Sequence, residues 1–140
     1  MKPGDLDDLL NQLCQATRNF QKDDNDLERT VTLKAARKLV QALEKPQDAA
    51  LLMGLSPIQF LCVRIAVDLD IFTTLAESDG PVSLEGLAAI RNADLLFTER
   101  VMRILATTGY VIEHEVRVYT VNAMTRYLSI PEAVAGLKFQ

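Results

Sequence analysis

The 140 residues are enough for one domain with a substantial core, and the hydrophobic (49%) and charged (24%) contents are those of an ordinary globular protein. A net charge of −4 argues against a protein whose main task is to grip a phosphate backbone, and the 6% aromatic content without Trp predicts an aliphatic core. No secretory signal is visible and no run reaches about 18 apolar residues, so we expect a cytoplasmic protein without a membrane partner. Cys14 and Cys62 lie in apolar helical patterns and are expected to be free, buried thiols of a reducing compartment.

Two amphipathic helices are predicted at the start of the chain. The first, Asp5–Gln21, has a stripe at helical spacing, formed by Leu6, Leu9, Leu10, Leu13, Thr17 and Phe20. One helix cannot bury such a stripe alone, so it is expected to pack on the domain or on another chain. The second, Leu27–Glu44, is predicted to be capped by Asp26 and stopped by Pro46. Its basic face is interpreted as solvated surface rather than an anion or nucleic-acid contact: Lys34, Arg37, Lys38 and Lys45.

A strong helix start is predicted at Ser56. Its hydroxyl can cap, Pro57 suits the first helical position, and Gln59 completes a capping box. The following helix, Pro57–Leu69, is apolar nearly all round, which is typical of a helix central to a core or to a core plus an interface. A separate short helix is expected before it, near Gln47–Met53.

The next segment predicts a helix, a turn, a helix and a hairpin. The helices run from about Ser83 to Ile90 and from Asp94 to Thr107, and Gly109 stops the second. Strands are predicted near Tyr110–Glu113 and Arg117–Val121. The expected buried side chains of the two helices are Leu84, Leu87, Ala88, Leu95, Val101, Ile104 and Leu105, with Phe97 or Met102 on a flank. The hairpin residues expected to share one face are Tyr110, Ile112, Val118 and Thr120.

The fold class that follows is mainly α: a winged helix-turn-helix with a small β-hairpin wing, preceded by extra N-terminal helices. Asn122 is expected to cap a last helical stretch, Ala123–Leu128, and a further turn is expected at Pro131–Leu137. We divide the chain into an N-terminal arm (1–55), a winged-helix domain (56–128) and the start of a connection to an absent catalytic domain (129–140). The last division rests on the abrupt end of the sequence without a polar tail.

No catalytic, cofactor-binding or metal-binding residue is predicted. One His and two distant Cys cannot form a closed metal site, and His114 is expected on the surface of the hairpin tip. The glycines are isolated, so no phosphate-cradling loop is predicted. A winged helix raises the question of DNA binding, but the second helix balances its exposed charges and the wing tip carries Glu113 and Glu115, the wrong sign for phosphate.

Two segments carry a family resemblance, RIAVDLDIFTTLAESDGPVSLEGLAA (64–89) and LLFTERVMRILATTGYVIEHEVRVYTVNAMTRYL (95–128). The pieces that matter in order and spacing are Ala66–Leu75, Pro81–Ala88, Arg100–Leu105, Gly109-Tyr110 and Tyr119–Asn122. Together they resemble the N-terminal domain of S-adenosylmethionine-dependent O-methyltransferases, of the fungal sterigmatocystin-pathway and plant caffeate type.

The resemblance implies a winged helix that has lost DNA binding, forms an intertwined homodimer and covers the substrate pocket of a following Rossmann domain. S-adenosylmethionine and a small apolar or aromatic substrate are then expected in that absent domain, and no cofactor in this chain. The implied function is the dimerisation and substrate-lid domain of a secondary-metabolite O-methyltransferase-like protein, not catalytic by itself. The alternatives are a winged-helix DNA-binding regulator, and a stand-alone non-methylating enzyme or ligand-binding protein of the same family.

The candidate interface residues are apolar positions of the N-terminal helices and of residues 57–75, and burial in the core of the same chain is an equal alternative for each. They are Leu9, Leu13, Phe20, Leu61, Ile65 and Phe72. Candidates for the wall of the substrate pocket are Met53, Phe60 and Met124.

Overall fold

The computed structural model describes residues 3–138, and it describes side chains from Asp5 to Gly136. The chain divides into two compact units that meet between Met53 and Gly54. The helices in the described range are α1 (Pro3–Lys22), α2 (Asp26–Leu43), α3 (Pro46–Asp68), α4 (Ile71–Glu77), α5 (Leu84–Ile90), α6 (Leu95–Thr107), α7 (Ala123–Leu128) and α8 (Pro131–Lys138). The strands are β1 (Val82–Ser83), β2 (Ile112–Glu115) and β3 (Val118–Thr120).

In the first unit, α1 packs against α2. Asn25, not the predicted Asp26, caps α2: its side-chain oxygen accepts a hydrogen bond from the Glu28 amide at 2.9 Å. Asn25 has the extended backbone that a cap requires, whereas Asp26 already lies in the first turn and pairs with Arg29 at 2.7 Å. The helix α2 therefore begins one residue earlier than predicted, and the connection between α1 and α2 is shorter by that residue.

The predicted break before Pro57 is absent, because α3 is one continuous helix of 23 residues. Proline lacks the amide hydrogen for one helical bond, but the leucines, alanines and methionine before it are among the best helix formers. Their propensity carries the helix through Ser56, which is helical and not a cap. The capping-box prediction was wrong here.

By length and composition, α3 is also apolar enough to cross a membrane. The 18-residue stretch that meets this requirement is 17% buried. Length and composition alone do not place this helix in a membrane, so the expectation that no segment spans one stays a prediction. A helix that packs in a protein core or interface meets the same requirement.

The second unit contains a winged helix, as predicted from the element order. Its sheet is antiparallel in the order β1-β3-β2, with Val82 opposite Tyr119 and Ile112 opposite Thr120. The sequence predicted only the hairpin of β2 and β3. β1 was missed because its two residues are too few to show an alternating pattern.

The core of this unit is aliphatic, as the composition predicted, and it is built from α3 to α8 and the sheet. Its members include Val63, Ala66, Ile71, Phe72, Leu75, Leu84, Leu87, Val101, Met102, Leu105, Val111, Tyr119, Leu128 and Val134. Val134 belongs to α8, so the segment predicted as the start of a connection contributes to this core.

The buried face of α6 differs from the prediction by a rotation of the helix. Thr98, Val101, Met102 and Leu105 are buried, at the i, i+3, i+4, i+7 positions of one face. Leu95 and Phe97 are instead exposed, and Ile104 is half-buried. Thr98 was not expected inside, but its hydroxyl is satisfied because it donates to the Asp94 carbonyl oxygen at 2.8 Å.

In the hairpin, the core is reached by Val111 and Tyr119. The four residues expected to share one face are exposed or half-buried, because the alternation places their neighbours inward. Cys14 also departs from expectation, since it is exposed on α1. Cys62 is buried, and this burial raises the pKa of its thiol.

Asn122 anchors the start of α7 to the end of α6. Its side-chain oxygen accepts from the Thr125 amide at 2.9 Å, and its side-chain nitrogen donates to the Gly109 carbonyl at 2.9 Å. The Thr125 hydroxyl, fully buried, donates to the Tyr110 carbonyl oxygen at 2.7 Å. Gly109 has φ +81, which favours glycine at this helix stop.

We expect Asn122→Ala to lower the free energy of unfolding by about 1 to 2 kcal/mol, because the cap of α7 and the bond to Gly109 are lost together. Urea unfolding followed by circular dichroism at one protein concentration measures the change. Asn11→Ala, an exposed site within α1, is the control and should change stability little. Equal unfolding midpoints for Asn122→Ala and the unaltered protein would contradict this role.

Candidate functional site

The three candidate interface residues of α1 are half-buried. Leu9, Leu13 and Phe20 recur at helical spacing with the buried Ala16, so the four share one face of α1. Ala16 also lines a groove between α1 and α2, together with Val31 of α2. Part of the predicted interface surface is thus used in packing within the first unit, and part remains accessible.

The candidates of the second unit separate by burial. Leu61 is 56% exposed on α3, whereas Ile65 is half-buried and packs against the core. Phe72 is 1% exposed, so a partner chain cannot reach it. Its assignment to the interface was wrong, because α4 is a short helix that turns Ile71, Phe72 and Leu75 together into the core.

An exposed apolar surface on α3 includes Met53, Phe60 and Leu61, which the sequence analysis named, and further residues that it did not name. Every residue from Ala50 to Ile58 is exposed. We call Ala50–Leu61 the exposed α3 segment; its exposed large apolar side chains are Leu51, Leu52, Met53, Leu55, Ile58, Phe60 and Leu61. Contiguous apolar surface of this kind marks a site of interaction. The absence of a polar face on this helix was the sequence feature that pointed to it.

The structure brings two of the three candidate pocket residues together. Phe60 and Met124 line one groove of about 390 Å³. The other lining residues are Ser56, Gln59, Val63, Tyr110, Tyr127 and Leu128. Met53 is 74% exposed and is not among them. The groove offers aromatic rings, a thioether, hydroxyls and an amide, and none of its lining residues is Asp, Glu, Lys, Arg or His.

The surface that a winged helix would present to DNA is occupied by internal ion pairs. Arg117 of the wing, at φ +61, makes two bonds to the Glu99 carboxylate of α6, at 2.8 and 3.2 Å. The backbone amide of Arg117 donates to the Glu113 carboxylate at 3.0 Å, and Arg103 lies 3.6 Å from Glu99. The same two carboxylates lie near Tyr119, and burial together with their charges raises the pKa of its hydroxyl. The charges of Arg117 in the wing and Arg103 in α6 are therefore partly neutralised by Glu99.

His114 is exposed in β2, and no group of three or more His, Cys, Asp or Glu that could hold a metal ion occurs in the described part of the chain. The features left to explain a function are the exposed α3 segment and the groove.

Comparison with known families decides what kind of domain this is. Residues 58–130 match the family model of the O-methyltransferase dimerisation domain, which is more than half of the chain. The chain belongs to the O-methyltransferase dimerisation-domain family. The matched range begins within α3 and ends just after α7, so it contains the helices and strands of the winged helix and every lining residue of the groove except Ser56. The family resemblance stated from the sequence is confirmed.

Relatives of the dimerisation domain are fungal proteins. The O-methyltransferase penC of Penicillium thymicola is 32% identical over 119 residues, which are 84% of this chain and 30% of that protein. The O-methyltransferase lepI of Aspergillus flavus is 30% identical over 131 residues, covering 93% of this chain and 32% of that protein. The demethylsterigmatocystin 6-O-methyltransferase of Aspergillus flavus is 27% identical over 101 residues. The chain thus spans about 30% of the length of penC.

Solved structures agree with the winged-helix fold. The structure of LepI in complex with SAM has a TM-score of 0.79 at 26% identity, covering 89% of this chain and 32% of that one. A further solved structure, described as that of a pericyclic reaction enzyme, has a TM-score of 0.79 at 26% identity and covers 89% of this chain and 32% of that one. OxaC in complex with SAH and oxaline has a TM-score of 0.79 at 17% identity over 92% of this chain, which supports the fold alone. A dimerisation domain of this family implies homodimer assembly in the related methyltransferases.

Proposed function

We propose that this chain is the dimerisation and substrate-lid domain of a small-molecule O-methyltransferase-like protein, and that two copies associate through it. The observation that carries the proposal is the match of residues 58–130 to the O-methyltransferase dimerisation domain. The exposed α3 segment supports it, because an apolar helix face of this length is unfavourable in water and is covered by a second copy in a dimer.

The proposed interface comprises the exposed α3 segment, with Leu61 at its end, and the accessible parts of α1. Leu9, Leu13 and Phe20 remain candidates on α1, and Ile65 remains one on α3. In an isologous dimer the same apolar patch of each subunit forms the interface, so the α3 face of one subunit can bury that of the other.

The catalytic parts belong, in this proposal, to a second domain. The relatives are about three times as long as the part that this chain spans, and one of them has been solved with SAM. We infer that S-adenosylmethionine and a small apolar or aromatic substrate bind there. Since one relative is named an O-methyltransferase and one similar structure is described as a pericyclic reaction enzyme, the parent reaction in this proposal is methyl transfer or a pericyclic reaction.

The groove that contains Phe60 and Met124 is proposed as this domain's share of the substrate pocket. Its aromatic rings suit a flat ligand, and its lining without charged side chains suits a neutral one. Met53 remains a candidate for the wall of the substrate pocket, but it does not line this groove. The proposal includes no nucleic-acid or membrane partner, and it places the protein in the cytoplasm, where free thiols persist.

Sedimentation velocity of the chain alone tests the dimer. We expect a species of twice the 15.6 kDa chain mass that dissociates on dilution. A monomer at every concentration would overturn the proposal. Mobility-shift assays with duplex DNA at low salt test the DNA-binding alternative, and a salt-sensitive shift would favour that alternative.

A further inference from the structure

We propose that Gln59 is a specificity-determining residue of the groove that contains Phe60 and Met124, and that its side-chain amide hydrogen-bonds an oxygen of a planar, uncharged aromatic ligand. This assignment rests on the proposed function, since it names the ligand class of the groove that is assigned there to the substrate pocket. A hydrogen bond from Gln59 would separate an oxygen-bearing ligand from a hydrocarbon of the same shape.

The groove combines a buried apolar base with aromatic rings. Val63 of α3 and Leu128 of α7 line it and are only 4% and 8% exposed. Phe60, Tyr110 and Tyr127 add their rings to the lining. Its volume of about 390 Å³ falls within the range of small-molecule sites, about 300–1,000 Å³. An aromatic ligand that enters it replaces water over apolar surface and can stack on a ring.

Hydrogen bonds fix one part of this lining in place. The Thr125 hydroxyl donates to the Tyr110 carbonyl oxygen at 2.7 Å, and the side-chain nitrogen of Asn122 donates to the Gly109 carbonyl at 2.9 Å. These two bonds join the start of α7, the helix that carries Tyr127, to the segment that carries Tyr110. This side of the groove is therefore formed before a ligand arrives, which lowers the cost of ordering it on binding.

Gln59 places an amide beside this apolar lining. It is half-buried on α3, and in the part of the chain that the structure describes its side chain has no hydrogen-bond partner. A ligand that covers the groove removes water from this amide, and an amide left without a partner is unfavourable. A hydroxyl or carbonyl oxygen on the ligand restores the bond, whereas a hydrocarbon cannot. Because none of the lining residues is charged, an ionised ligand would lack a counter-charge.

The groove and the proposed dimer interface use different sides of α3. Gln59 and Val63 line the groove and are one helical turn apart, as are the candidate interface residues Leu61 and Ile65. At 3.6 residues per turn, the second pair lies about 200° around the helix axis from the first, on the nearly opposite side. Binding in the groove therefore does not require Leu61 to be uncovered.

Two ligands of the same shape test the role of Gln59: 2-naphthol, and 2-methylnaphthalene, in which a methyl group replaces the hydroxyl. Each is kept at a fixed low concentration while the whole chain is titrated. Because the chain has no Trp, the fluorescence of the ligand is read at wavelengths beyond the absorption of tyrosine. Gln59→Leu is expected to weaken the binding of 2-naphthol about fivefold, the effect of one neutral hydrogen bond, and not to weaken that of 2-methylnaphthalene. Gln41→Leu, at an exposed position of α2 outside the groove, should change neither.

Retained binding of 2-methylnaphthalene would show that the groove of Gln59→Leu is intact. An unchanged affinity of Gln59→Leu for 2-naphthol would overturn the proposal, as would a larger loss in Tyr110→Phe than in Gln59→Leu. Phe60→Ala is expected to weaken both ligands. If it weakens neither, or if the unaltered chain binds neither ligand, the groove is not their site and the proposal fails. A monomer in sedimentation velocity would instead overturn the proposed dimer and leave these affinities as they are, so the two failures are distinguishable.

Discussion

Leu61→Asp is expected to convert the dimer into a monomer that keeps its fold. Leu61 is 56% exposed at the end of the exposed α3 segment, so a carboxylate there is solvated in the monomer but buried among apolar side chains in the dimer. We expect the dimer dissociation constant to rise at least about 30-fold, which corresponds to about 2 kcal/mol. Sedimentation velocity over a concentration series measures it, with circular dichroism to show that the helices are retained.

The matched control is Val116→Asp, which places the same carboxylate at the wing tip, where Val116 is 87% exposed. That variant should dimerise as the unaltered chain does. If Leu61→Asp leaves the dissociation constant unchanged, α3 does not form the interface. The groove between α1 and α2 would then be the next surface to examine.

Phe72→Ala is expected to lower the free energy of unfolding by about 3–5 kcal/mol, because it empties a fully packed site in the core of the winged-helix unit. Phe72 is 1% exposed and lies in the same cluster as Ile71, Leu75 and Met102. Urea unfolding at a fixed protein concentration measures the loss, since dissociation contributes to the apparent stability of a dimer.

Phe97→Ala is the control for Phe72→Ala, because Phe97 is 45% exposed on α6. The same truncation there should cost about 1 kcal/mol or less. A loss of dimer without a loss of monomer stability in Phe72→Ala would restore Phe72 to the interface and contradict its position in the core.

Local chemistry explains why the helix ends of the winged helix could be predicted. Ser83, Asp94 and Asn122 each accept an amide hydrogen bond at the start of a helix, as expected of capping residues. Gly109 stops α6 with a positive φ. Each of these capping bonds joins two residues that are close together in the chain, so the local sequence is enough to predict it. The N-cap of α2 shows the limit, because Asn25 and Asp26 cap equally well by type and only the backbone angle separates them.

The order of α5, α6, the β2–β3 hairpin and α7 was thus determined by the sequence itself, and with it the winged-helix class and the family resemblance. The sequence also predicted the buried face of α5, formed by Leu84, Leu87 and Ala88, but tertiary structure decided which side of other elements is buried. It turned α6 so that Met102 is inside and Leu95 is outside, and it drew Phe72 into the core. It also paired the two residues of β1 with β3 and brought Phe60 and Met124 into one groove. The physical reason is that caps and turns depend on neighbours along the chain, whereas burial depends on packing between segments that are distant in sequence.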